Sequence, residues 1–139
     1  MRSGFTLASL LVTITVIALL TGVATPRFVR YRDRLNVHSA TMDVVSALSR
    51  ARSVAYERST RAAATFDVPT ATLAVHSYGD TLEVRPLGAL YGVTLGVSRD
   101  SVTYAANAMG FGASNTRIIV SRGAIAETVT VSRLGRVKR

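Results

Sequence analysis

Phe5 to Ala24 reads FTLASLLVTITVIALLTGVA, and these 20 residues carry no charged side chain. As a helix the stretch would be about 30 Å long, the thickness of a bilayer core. Its 11 Leu, Ile, Val and Phe residues each favour insertion by roughly 0.3–0.6 kcal/mol, and the Thr, Ser and Gly residues offset only part of that. The β-branched run VTITVI would suit a strand in water, but the uninterrupted apolar length decides for a membrane helix. A helix this long and uniformly apolar fits poorly as the core of so small a domain. A cleaved secretory signal is the main rival: Arg2 is a minimal basic start and Gly22-Val23-Ala24 is a small-x-small pattern. Against it, the apolar run exceeds the usual ~7–15 residues, and Pro26 follows directly. For an ordinary signal anchor, Arg27, Arg30, Arg32 and Arg34 behind the segment outweigh Arg2 before it, so charge alone would leave the C-terminal side in the cytoplasm.

Beyond Pro26 the pattern becomes amphipathic. Phe28, Tyr31, Leu35, His38, Met42, Val45 and Leu48 recur at a spacing of three to four, continuing through Ala51 and Ala55. The spacing predicts a helix to about Glu57, continuous with the membrane segment and bent near Pro26. On this stripe His38 is expected to be packed or partly buried rather than a ligand, and Met42 to fill the core. Asp33 and Asp43 lie among helix Arg residues and are expected to form surface ion pairs.

After Ser59 the sequence reads as strands: Arg61–Phe66, Thr72–Tyr78, Thr81–Leu87, Tyr91–Val97, Ser101–Ala105, Arg117–Ser121 and Thr128–Arg133. Gly79-Asp80 is the expected two-residue hairpin turn with Gly first. Pro69 and Pro86 mark loop or edge positions. Met109–Asn115, MGFGASN, is a loop whose Gly-x-Gly precedes a strand, which argues against a phosphate cradle. The predicted fold class is therefore α+β, with a long N-terminal helix packed on an antiparallel β-sheet domain and its apolar stripe completing the core.

At 139 residues there is room for one domain. The absence of Cys excludes disulfide scaffolds, Cys-ligated zinc and thiol catalysis. Two His residues 38 positions apart and eight scattered acids form no catalytic or metal-ligating pattern. The reading is non-enzymatic, with no cofactor and no metal. Charge is the one functional signal: Lys+Arg is 17 against Asp+Glu 8, a net of +9, and Lys138 is the single Lys. From residue 117 onward, Arg117, Arg122, Arg133, Arg136, Lys138 and Arg139 face only Glu127. Arg forks bind phosphate bidentately, so Arg133, Arg136, Lys138 and Arg139 are the candidate DNA contacts. The plain alternative is a solvated basic end.

Gly4-Phe5-Thr6-Leu7 before a long apolar run, with Pro26 behind, resembles the N-terminus of type IV pilins and type II secretion pseudopilins. The resemblance implies a leader, Met1–Gly4, removed by a prepilin peptidase between Gly4 and Phe5, and N-methylation of Phe5. It further implies a transmembrane helix over 5–25, an amphipathic continuation over 26–58 and a β-rich soluble domain over 59–139. Where the family usually has Glu at the fifth mature position, this chain has Ser9. That Glu is thought to pair with a neighbour's N-terminal amine, and a lone carboxylate in lipid wants such a partner. Its absence suits a subunit at the filament tip. Leu48–Ala55, LSRARSVA, and Val131–Val137, VSRLGRV, resemble the helix end and closing strand of the pseudopilin H / FimT family, whose members are known for DNA capture through a basic C-terminus. The expected function is a minor pilin or pseudopilin of a type IV pilus or type II secretion pseudopilus. Its partners would be other pilins or pseudopilins, the peptidase, the inner membrane and DNA, with the soluble domain in the periplasm. A secreted β-rich binding module with a cleaved signal peptide is the alternative.

Overall fold

The structure is a computed structural model describing residues 6–112 and 115–139. Gly4 and Phe5 lie outside the described residues. A 51-residue helix, α1 (Leu7–Glu57), is followed by β1 (Ala62–Asp67), β2 (Thr72–Ser77), β3 (Asp80–Pro86), α2 (Leu87–Tyr91), β4 (Thr94–Val97), β5 (Ser101–Tyr104), β6 (Gly110–Phe111), β7 (Thr116–Arg122), β8 (Ile125–Val131) and β9 (Val137–Lys138). The chain divides into two compact units at Arg32 and Asp33.

The first unit is apolar helix. Leu10, Leu11, Ile14, Ile17, Leu19 and Leu20 are all more than half exposed, and the helix is long and apolar enough to cross a membrane. Its hydroxyls are compatible with lipid. Thr13, Thr15, Thr21 and Thr25 each donate to the carbonyl four residues back, at 2.7–2.8 Å, and Ser9 Oγ donates to Thr6 O at 2.8 Å. With no water in the hydrocarbon, such back-bonding is how a helix carries Thr and Ser there. Pro26 lies inside the helix rather than ending it; lacking an N–H, it frees the carbonyl of Gly22.

The second unit is α+β, as the sequence predicts: the rest of α1 packs on two antiparallel sheets, ordered β3-β2-β1-β5-β6 and β4-β7-β8-β9. A single core holds α1 residues with Leu73 and Val75 of β2, Val102 and Tyr104 of β5, Ile118 and Val120 of β7, and Val129 and Val131 of β8. Strand burial alternates, for example in Ala62, Ala64 and Phe66 of β1, as the period-2 pleat demands.

Three local expectations need correction. The buried helix face is Val37, Ala40, Thr41, Val44, Ala47, Leu48, Ala51, Val54 and Ala55. Only the last part of the predicted stripe belongs to it. Phe28, Tyr31, Leu35 and Met42 are exposed, and the His38 side chain is 49% exposed. Ala-rich positions let the helix approach the sheets closely, so small side chains, not the large ones, mark the buried face. Leu87–Tyr91 is a helical turn, so the fourth strand begins at Thr94 instead of Tyr91. The β2–β3 turn is Tyr78-Gly79, because Ser77 pairs with Asp80. Both turn residues have positive φ, 54° and 88°, the pattern of a type I′ hairpin, in which Gly comes second.

Candidate functional site: the basic C-terminal face

The C-terminal residues are folded, not a free arm. Val131 ends β8, and the chain reverses through a turn in which Gly135 N–H donates to Ser132 O at 2.8 Å. Arg136 N–H donates to Ser132 Oγ at 3.0 Å, and Ser132 N–H to Arg136 O at 2.8 Å. β9 then returns along β8, with Val137 opposite Val131 and Lys138 opposite Thr130.

Gly135 is required here. Its φ is +80°, and a Cβ would come within 2.8 Å of Tyr104 Cε1 and 2.9 Å of Gly110 N. Gly110 meets it from the other side, where a Cβ would lie 2.7 Å from Arg133 O. The MGFG segment thus provides β6 and a glycine against which the C-terminal turn packs.

The four predicted cations separate. Arg136 and Lys138 are exposed and share one shallow cleft, of about 420 Å³, with Asn115 and Thr130. Arg133 is exposed at the turn. Arg139 is tied down: its guanidinium lies 3.1 Å from Glu127 Oε2 and donates to His38 Nδ1 at 2.6 Å. His38 therefore pairs with Arg139 at the surface instead of packing on the apolar stripe.

A second cleft, of about 490 Å³, lies between α1 and this C-terminal segment. Arg52, Arg136 and Arg139 line it, together with Met42, Val45 and Tyr104. The place of Arg52 beside the C-terminal segment was not legible in the sequence, since it depends on how that segment packs near the helix.

The helix acids also act across the fold rather than along the helix. Arg122 Nε donates to Asp33 Oδ1 at 2.8 Å. Asp43 accepts from Arg85 Nη1 at 2.5 Å and from Tyr91 Oη at 2.9 Å. Arg122 also donates to Tyr91 O, in space that Gly92 leaves open. These contacts fix the α2 and β7–β8 loops on the helix. The hydrogen bond to Asp43, then burial, holds the Tyr91 hydroxyl above the usual Tyr pKa. Burial does the same to Tyr104, with Arg52 opposing.

Two crystal structures of the type IV minor pilin FimU from Pseudomonas aeruginosa (strain PAO1) superpose on this architecture. One matches with a TM-score of 0.65 at 16% identity, over 78% of this chain and 90% of that one. The other matches with a TM-score of 0.60 at 15% identity, over 73% and 90%. The chain has a type IV pilin-like fold. No family model matches the sequence, and no curated protein matches it. The likeness to these pilins is one of fold.

Proposed function

We propose that this chain is a minor pilin or pseudopilin, anchored in the inner membrane by the apolar part of α1 and carrying its β domain in the periplasm. The observation that carries the reading is the join of two features in one helix. Its first part is uncharged with lipid-compatible hydroxyls, and its second part is the core helix of a domain folded like a minor pilin. A prepilin peptidase would cut between Gly4 and Phe5 and methylate Phe5. The mature helix would then insert among other pilins or pseudopilins of a type IV pilus or type II secretion pseudopilus. At Ser9 the side chain returns to its own helix, donating to Thr6 O, and offers no charge to a neighbour's amine. That fits a tip position.

The test is co-expression with a prepilin peptidase followed by the mass of the mature chain. A product starting at methylated Phe5 is expected. An uncut chain would overturn the reading, and cleavage after Ala24 would favour a secreted β-rich module instead.

DNA binding is a second reading, supported by Arg136 and Lys138, which are exposed and have no acidic partner among the described residues. Arg133 would extend the contact, and Arg139 would brace it from its pairing with Glu127.

A further inference from the structure

At one end of the first sheet, where β1 begins and β2 and β5 end, Ser59, Thr60, Arg61, Tyr78 and Phe111 line a shallow cleft of about 570 Å³. β1 and β6 flank β5, and Arg61 reaches across it: its guanidinium carbon lies 3.8 Å from the centroid of the Phe111 ring. Arg61 is exposed and has no acidic partner among the described residues. Tyr78 stands at the tip of the β2–β3 hairpin and is 88% exposed. Its φ is 54°, in a turn that favours Asn or Gly, and a positive φ is unusual for so bulky a residue. The ring is thus held in a strained backbone position while contributing almost nothing to the core, a pattern found where a side chain serves a ligand.

We propose that this cleft binds an unpaired nucleotide, its base stacked on the Tyr78 ring and its phosphate held by the Arg61 guanidinium, which Phe111 supports. A guanidinium fork matches a phosphate bidentately, and aromatic faces stack bases whatever their sequence. The net charge of +9 draws a polyanion towards the surface. The lining side chains include no carboxylate and no amide, so a neutral sugar would find few acceptors for its hydroxyls. The volume suits a small ligand. In a duplex the bases stack on one another and are closed to Tyr78. The occupant is therefore a free nucleotide or a single-stranded segment. The cleft shares no lining residue with that of Arg136 and Lys138, so phosphate binding there and base stacking here can each fail alone.

The test uses the full chain in nonionic detergent micelles and a short single-stranded DNA carrying one 2-aminopurine, a base whose fluorescence is quenched when it stacks. The strand should be quenched saturably, and the same base paired inside a duplex should not change. Tyr78→Asn removes the ring and suits the turn, so it should fold at least as well as the parent and weaken the strand about tenfold. Arg61→Gln should also weaken it about tenfold, the worth of a hydrogen bond between charged groups. Arg50→Gln, an equal loss of charge at an exposed helix position, should change nothing. The monophosphate of 2-aminopurine deoxyriboside distinguishes the sources: affinity equal to the strand's indicates a free nucleotide, and weaker binding a single strand. Absence of quenching with both probes would overturn the proposal. So would equal quenching in the duplex, full affinity in both site variants, or an equal loss in Arg50→Gln. Displacement of the strand by the peptide acetyl-Asp-Tyr-Asp-amide at a lower concentration than by the nucleotide would assign the cleft to a protein partner instead.

Discussion

Gly135 and Gly110 meet backbone to backbone, so that a Cβ on Gly135 would lie 2.9 Å from the Gly110 nitrogen. This contact closes the C-terminal turn over the Tyr104 ring and sets the course of β9. Gly135→Ala should therefore combine a left-handed φ of 80° with a clash against backbone that cannot give way. Strain and overpacking together should cost about 3 kcal/mol. Urea unfolding of the domain measures it. A loss of a few tenths would show that the turn moves freely and that β9 is not held by this contact.

The buried face of α1 supplies a paired test. Leu48 is 0% exposed, and Leu48→Ala should cost ~2–5 kcal/mol. Leu35→Ala and Met42→Ala remove side chains that are 47% exposed, and each should change stability by about 0.5 kcal/mol or less. Equal losses at all three would restore the stripe of large side chains as the core face. The same unfolding experiment, on residues 26–139, tests whether that portion folds alone as a soluble monomer, as expected.

What was legible in the sequence follows from what is local. The end of α1 at Glu57, the alternation in β1, β2 and β7, and the α+β class all rest on periodicity along the chain, whereas β8 runs over Ile125–Val131 instead of Thr128–Arg133. The helix face was misread because its signal lies in Ala40, Ala47, Ala51 and Ala55, small residues whose burial depends on how near the sheets come. The turn at α2 was misread for a similar reason. Gly88 sits where a Cβ would lie 2.8 Å from Thr70 O, a contact between distant parts of the chain that its neighbours do not announce. Likewise Arg122 finds Asp33 across 89 positions. At the site, the basic composition of the C-terminus was plain, but the division of labour was not. That Arg139 is paired while Arg136 and Lys138 are open depends on where β9 places Glu127 and His38.

Alkaline stability should report the two perturbed tyrosines. Tyr91, through its hydrogen bond to Asp43, and Tyr104, through burial, both have folded-state pKa values above that of an unfolded Tyr, which is about 10. Above that pH the unfolded chain releases protons that the folded chain still holds. Their contribution is therefore complete below about pH 10 and is lost as pH rises through the folded values. Unfolding free energy should fall with pH in that window, and Tyr104→Phe and Tyr91→Phe should each flatten the fall. Parallel curves for the variants and the parent would mean that neither hydroxyl is protected.

DNA binding by the C-terminal face would run mainly through phosphates, so it should be largely independent of sequence and weaken with salt as condensed cations are released. Arg136→Ala together with Lys138→Ala removes the two cations that share the cleft with Asn115 and Thr130. The pair should lower affinity on every duplex alike and shallow the log–log salt dependence by roughly one per lost phosphate contact. Arg30→Ala with Arg32→Ala changes net charge equally on helix residues beside the apolar segment, and should matter little. Titrating a fluorescent duplex at two salt concentrations into the parent and both double variants measures the contrast. Arg139→Ala takes the guanidinium from Glu127 and should lower affinity; a salt slope unchanged from the parent marks bracing, and a slope shallower by about one marks a phosphate contact. Equal losses from the two double variants would reduce the interaction to overall charge. Absence of binding at low salt would remove DNA as a partner and leave the assembly role standing.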